Sequence, residues 1–216
     1  MRVTDQLPEG SAPWLHDIGR WISRGPFRTP FRVRVHGAER MPLEGPVVVV
    51  ANHSSMVDGP ILFGALPRRV VFLIKQEMFK GVVGTLLRKI GQLAVRRGEP
   101  DRAPLLAAQK VLRAGGVVGV FPEGTRGSGD VTEAQKGAAW LARSSGAVVV
   151  PVACRGTLRP AGTGRRFRPV VDVLVGEPFE LPTDKGRQAL DKATEQVRDR
   201  LATLVAELDS QRGEAR

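Results

Sequence analysis

The sequence predicts a single layered α/β domain: a largely parallel, mixed sheet flanked by helices, with an amphipathic helix near the N-terminus. Three observations point there. Short valine-rich runs alternate with segments of helical spacing along most of the chain. Several of those runs, such as Val47 to Ala51 and Val70 to Ile74, are continuously apolar, the mark of strands covered on both faces. The 216 residues fit one domain with a large core, and neither an internal repeat nor a linker interrupts them.

Residues 1–13 are polar and contain two prolines, and a loose arm is expected there. Trp14, Leu15, Ile18, Trp21 and Ile22 follow at spacings of three and four, flanked by Arg20, Arg24 and Arg28. A basic helix bearing tryptophans can lie in a membrane interface or dock on the protein's own core, and the pattern leaves both open. Val33 and Val35 alternate with arginines as a half-exposed strand. Strands are then expected at Val47 to Ala51, Val70 to Ile74, Leu93 to Val95, Val117 to Phe121, Ala147 to Ala153 and Val170 to Val175. Helices are expected at Met56 to Leu66, Glu77 to Ile90, Arg102 to Arg113 and Thr132 to Ser145. Gly81 and Gly84 weaken the second of these, and Gly115-Gly116 stops the third. Arg155 to Arg168 reads as a basic, glycine-rich loop. From about Asp184, Leu190, Ala193, Val197, Leu201, Leu204 and Leu208 form one stripe of a long helix. The expected organisation is an arm and amphipathic helix over 1–31, a core over 32–182, and a C-terminal helix over 183–216 packed on that core.

Lys and Arg number 33 against 22 Asp and Glu, a net charge of +11. Such a surface favours an anionic partner: membrane lipid, nucleic acid or a phosphorylated substrate. Aromatic residues are only 5% and tyrosine is absent, so the stacking platforms of a nucleic-acid binder are missing and no nucleic acid is expected. The single cysteine, Cys154, excludes an intrachain disulfide and reads as a small buried hydrophobe. No segment reaches the 18 to 20 or so apolar residues of a membrane span, and the polar N-terminus has no signal-peptide core. A cytoplasmic protein, peripherally associated with the inner face of the plasma membrane, is expected.

Two motifs about 65 residues apart carry the chemistry: Asn52-His53-Ser54-Ser55-Met56-Val57-Asp58 and Phe121-Pro122-Glu123-Gly124-Thr125-Arg126. Each follows a valine run, so each stands at a strand end. A neutral imidazole can take a proton from an alcohol, and a carboxylate on its other nitrogen fixes the tautomer and stabilises the imidazolium. If His53 ends a strand and Asp58 opens the next helix, the two can meet. Ser55-x-x-Asp58 also fits a helix capping box, with His53 a satisfied loop histidine. Neither Ser54 nor Ser55 sits in a Gly-x-Ser-x-Gly elbow, so a base without a protein nucleophile suggests direct attack by a substrate hydroxyl. In the second motif, Pro122 ends the strand and Gly124 permits a tight turn. Glu123 and Arg126 can form a turn salt bridge, or Arg126 can grip a phosphate bidentately. Arg96 and Arg97, at a third strand end, can add to an anion site.

Asn-His-x-x-x-x-Asp followed at this separation by Phe-Pro-Glu-Gly-Thr-Arg resembles the glycerolipid acyltransferase family, best known for the 1-acylglycerol-3-phosphate acyltransferases. Lys75-Gln76-Glu77-Met78-Phe79, Gly91 to Arg97, Lys136-Gly137-Ala138, Val150-Pro151-Val152 and Val175-Gly176-Glu177-Pro178 resemble further family blocks, so the likeness spans roughly residues 32 to 180. The resemblance implies that His53 deprotonates the free hydroxyl of a glycerophosphate-type acceptor while Asp58 holds His53. It implies an acyl-CoA or acyl-carrier-protein donor, and an acceptor phosphate held by Arg126 with help from Arg96. Glu123 would shape that site, with Gly124 and Thr125 giving turn geometry and backbone donors. The partners it implies are a lysophospholipid acceptor, the acyl thioester and an anionic membrane surface; neither metal nor bound cofactor is required. Two departures stand out. Gly127 follows the second motif where many members have serine, and Gln92 to Arg96 is less aromatic than the family's block, which bears on acceptor identity. The alternatives are the same transfer to another lipid acceptor or, more remotely, a non-catalytic basic membrane- or nucleic-acid-binding protein.

Overall fold

The computed structural model describes residues 6–96, 102–122, 136–158, 167–184 and 186–214. Seven strands form one sheet: β1 (Arg32–His36), β2 (Val47–Ala51), β3 (Val70–Lys75), β4 (Leu93–Val95), β5 (Val117–Val120), β6 (Val148–Arg155) and β7 (Val170–Val175). Their order is β1-β7-β6-β2-β5-β3-β4. Strands β6, β2, β5, β3 and β4 run parallel. Strand β7 joins β6 antiparallel and β1 joins β7 parallel, so this edge pair runs the other way. The α/β class and the mixed, mostly parallel sheet are as the valine runs predict.

The central strands are apolar because both faces are covered. In β2, Val48 and Val50 enter one core, while Val47, Val49 and Ala51 enter the other. The period-two alternation thus sends consecutive valines to opposite layers. Helices α4 (Arg102–Arg113), α5 (Gly137–Ser145) and α6 (Arg187–Glu214) cover the first face. Helix α2 (Asp58–Ala65) covers the second, with α1 (Pro13–Arg24) packed outside it. Helix α3 (Gly81–Lys89) lies between β3 and β4. Gly146, with φ of 66°, ends α5 in the left-handed conformation that glycine adopts without strain.

Several boundaries differ from the sequence expectation. Helix α2 opens at Asp58 rather than Met56, because residues 53–57 form the turn that carries the polar motif. The stretch from Glu77 to Ile90 is broken into a 3₁₀ turn, Gln76–Met78, and α3, which begins at Gly81 and keeps Gly84 inside it. The helix expected from Thr132 is described from Gly137; residues 132–135 lie outside the described residues, as do 159–166 of the basic loop.

The two amphipathic helices dock in opposite senses. Helix α6 buries Ala193, Val197, Leu201, Leu204 and Leu208, the predicted stripe. Helix α1 does touch the protein's own body, but through its polar face. Arg20 Nη2 donates to Leu66 O at 2.6 Å and Pro67 O at 2.9 Å, and Arg24 Nε donates to Gly64 O at 2.8 Å. These carbonyls end α2 and have no intrahelical donors, so two arginines cap that helix. Ser23 Oγ donates to Pro60 O, and a Cβ on Gly64 would collide with that serine, so only glycine permits this approach. The apolar stripe of α1 therefore faces outward, with Trp21 68% exposed and Trp14, Ile18 and Ile22 beside it.

Candidate active site

Strands β2 and β5 are hydrogen-bonded neighbours, with Val47 to Val50 opposite Val117 to Val120. The helix after β2 covers one face of the sheet and α5, after β5, covers the other. The carboxyl ends of these two strands therefore meet at a topological switch point, the usual place for a site in an open α/β sheet. Both motifs emerge there.

The first motif is held by its asparagine. Asn52 is fully buried where β2 ends. Its Nδ2 donates to Cys154 O at 3.0 Å, and Cys154 N donates to its Oδ1 at 2.7 Å. The amide so extends the β2–β6 contact past the last backbone pair, Ala51 and Val152, to Cys154. Both halves of a buried amide are satisfied, and the chain's exit from β2 is fixed immediately before His53.

His53 Nδ1 lies 3.1 Å from Asp58 Oδ2. That oxygen also accepts Ser54 N–H at 2.8 Å and Ser55 N–H at 2.7 Å. Asp58 is fully buried, so this convergence of donors on one oxygen is what makes a charged carboxylate tolerable there. A carboxylate only accepts, so Nδ1 carries the proton and the ring's lone pair is at Nε2. The His53 side chain is 14% exposed, which leaves it within reach of a substrate. The capping-box alternative is realised in part by the same carboxylate. Asp58 reaches back to the Ser55 N–H, as the acid of such a box does, while Ser55 Oγ faces Val57 N at 3.5 Å.

The second motif meets the first through its aromatic residue. The Phe121 ring stacks on His53 with centroids 4.2 Å apart, and Phe72 stacks behind it at 5.6 Å. The other motif residues assigned a role, Glu123, Gly124, Thr125 and Arg126, lie outside the described residues, as does Arg97. Arg96 is exposed at the end of β4 and its Nε is 3.4 Å from Gln76 Oε1. Three strand spacings separate β2 from β4 in the sheet order, about 14 Å. His53, Asp58 and Phe121 are therefore brought together, and Arg96 stands apart at the same edge of the sheet.

Three contributors were not assigned roles from sequence. Asn52 is one; a polar residue closing an all-apolar strand signals a buried amide in need of partners. Phe121 is the second, and nothing in its spacing announces a stack on His53. The third is Cys154, whose Sγ lies 3.9 Å from Asp58 Oδ1. Burial first, and the Asp58 charge next, push its thiol well above the ordinary range, so it stays protonated. It is a buried small side chain, as its sequence context indicates, but one that lines the carboxylate. Beyond it, Ser54 Oγ is 3.3 Å from Thr157 Oγ1, tying the histidine loop to the segment after β6. Among the described residues, no three His, Cys, Asp or Glu side chains converge as metal ligands.

A buried carboxylate orienting a reachable imidazole, with no serine elbow beside it, has the geometry to serve as a base for a substrate's own hydroxyl. Comparison with known proteins points to acyl transfer. Residues 32–155, more than half of the chain, match the acyltransferase family model. The chain belongs to the acyltransferase family. It is 31% identical over 186 residues to a 1-acyl-sn-glycerol-3-phosphate acyltransferase of Bacillus subtilis, covering 82% of this chain and 90% of that one. The human 1-acyl-sn-glycerol-3-phosphate acyltransferase beta is 31% identical over 140 residues, 62% of this chain and half of that longer protein. The crystal structure of the 1-acyl-sn-glycerophosphate acyltransferase PlsC from Thermotoga maritima superposes with a TM-score of 0.65 at 27% identity, over 91% of this chain and 78% of that one. This acyltransferase therefore shares its fold with a 1-acyl-sn-glycerophosphate acyltransferase.

Proposed function

We propose that this acyltransferase moves an acyl chain from acyl-CoA or acyl-carrier protein to the free hydroxyl of 1-acylglycerol-3-phosphate, forming phosphatidic acid. The observation that carries the proposal is the His53–Asp58 pair at the carboxyl end of β2, in a chain whose relatives bear that activity in their names. His53 Nε2 takes the proton of the acceptor hydroxyl as its oxygen attacks the thioester carbonyl. The carbon–oxygen bond forms, the carbon–sulfur bond breaks, and the imidazolium returns the proton to the leaving thiolate. Asp58 holds the ring and stabilises the imidazolium in between. Arg126 binds the acceptor phosphate, Arg96 adds charge from the β4 end, Glu123 shapes that site, and Gly124 and Thr125 supply its turn geometry and backbone donors.

The catalytic unit spans residues 32–182, with the arm and α1 before it and α6 docked behind it. The enzyme is cytoplasmic and associates peripherally with the inner face of the plasma membrane. Among the described residues no helix is long and apolar enough to cross a bilayer. The outward tryptophans of α1 suit the interface, and the +11 charge suits anionic headgroups.

The test is an acceptor panel. Purified enzyme, radiolabelled acyl-CoA and a set of lysophospholipids are incubated and the products resolved. Phosphatidic acid is the expected product; transfer only to another lysolipid, in keeping with the less aromatic Gln92 to Arg96 block, would reassign the acceptor.

A further inference from the structure

Helix α3 exposes apolar side chains beside the candidate site. The chain leaves the carboxyl end of β3 through Gln76–Met78, enters α3 at Gly81, and returns along β4 to Arg96 at the same edge. Its first turn thus stands at the end of the sheet where His53 and Arg96 emerge. Val82 is 86% exposed, Val83 58% and Leu86 51%. Gly84, by contrast, is buried so closely on Phe79 that a Cβ would strike that residue's backbone. The helix therefore has a fixed inner side and an apolar outer one.

Two features indicate what covers the outer side. Lys80 and Lys89 flank it, both exposed, and α3 contains no acidic residue. A second copy of this chain, itself at +11, is the wrong charge for such a rim, whereas an anionic lipid surface matches it. The end of α3 also meets the start of α1: Ala12 N–H donates to Lys89 O at 2.8 Å. The outward stripe of α1 begins two residues later, at Trp14.

We propose that the outer face of α3 is a second membrane-contact element, which seats the Arg96 side of the site against an anionic bilayer leaflet. This rests on the enzyme acting on a membrane lipid, and it adds where the leaflet meets the site. Helix α1 anchors the enzyme; α3 brings the acceptor's entry to the surface, so that a long-chain acceptor need not leave the bilayer fully.

Cys154 is the single cysteine and is buried, so a new surface cysteine can be labelled selectively. Val82→Cys carrying an environment-sensitive fluorophore is mixed with phosphatidylglycerol/phosphatidylcholine vesicles, with Trp21→Cys on α1 and Thr203→Cys on α6 labelled in parallel. The expected result is a blue shift at positions 82 and 21, quenched by brominated lipid, and none at 203. The Val82→Asp/Val83→Asp double variant should lose about tenfold in transfer to a long-chain acceptor in vesicles. Its transfer to a short-chain, water-soluble acceptor should stay within about twofold, which also reports intact folding. A shift at 21 without one at 82 would overturn the proposal and leave membrane binding in place. A shift at 82 that follows protein concentration without vesicles would overturn it in favour of self-association. Loss of transfer to both acceptors in the double variant would overturn it as well, since the face would then serve the site itself. The fluorescence readout needs no turnover, so failure of the lipid-acceptor reading shows separately, as wild-type enzyme inactive on both acceptors.

Discussion

The two halves of the candidate site are built by different means. The base half is rooted in the core. Asn52 and Asp58 are fully buried, every donor that the structure shows on Asp58 Oδ2 comes from the same turn, and the turn is clamped to β6. The proposed acceptor half, where described, is Arg96 at an edge-strand end, exposed and paired with a neighbouring glutamine. The contrast follows from what each half must do. A base has to hold one tautomer and one direction, so it needs backbone-fixed partners and exclusion of water. A phosphate grip has to admit and release a substrate, and a guanidinium on a long stem suits that.

The contrast has measurable consequences. His53→Ala is the largest: transfer should fall about 10³-fold, roughly 4 kcal/mol of transition-state stabilisation, with thermal stability little changed. Asp58→Asn combined with His53→Ala should be no worse than the single change, because the two act as a unit. Asn52→Ala comes next and is a stability effect first. It leaves the buried N–H and C=O of Cys154 unpaired, a loss of about 3 kcal/mol read by urea unfolding, and it loosens the turn behind His53.

His16 extends the comparison to the seam between α1 and the body. It is buried, its Nδ1 is 2.7 Å from Ile90 O, and its ring packs on Phe63. Burial lowers its pKa from 6.5 to about 4. In the unfolded chain it gains a proton near 6.5, whereas the folded chain resists until about 4, so the unfolded state binds more protons in that window. Stability therefore falls as pH drops from 7 to 5, by about 2 kcal/mol from this residue. In His16→Phe that part of the acid loss should disappear, as urea midpoints at the two pH values would show. The smallest effect belongs to the exposed half: Arg96→Ala should raise KM for the acceptor about fivefold, near 1 kcal/mol, with kcat within twofold and the penalty shrinking in high salt. A fall in kcat as large as that of His53→Ala would erase the distinction between the halves.

Much of this was legible in the sequence, and the reasons differ by element. The sheet was legible because continuous valine runs have few other uses, and the His53–Asp58 contact because the two residues are five apart across a strand-to-helix turn. The sense in which α1 docks was not. Its stripe has the same periodicity as that of α6, and a pattern of spacing says which residues share a face but not which way the face turns. That was decided by arginines satisfying the end of α2. The reversed β7–β1 edge was equally hidden, since valine alternation carries no strand direction. Nor could spacing show that Cys154, 96 residues from Asp58, lies against its carboxylate.

Direct attack by the acceptor, with His53 as the base, is the central claim, and intact-protein mass spectrometry tests it most directly. Wild-type enzyme is mixed with acyl-CoA alone, then with acyl-CoA and 1-acylglycerol-3-phosphate. The account predicts unmodified protein in both mixtures, CoA release and phosphatidic acid only when the acceptor is present, and neither product with His53→Ala. Stoichiometric acylated protein formed without acceptor, on Ser54, Ser55 or any other residue, would contradict it.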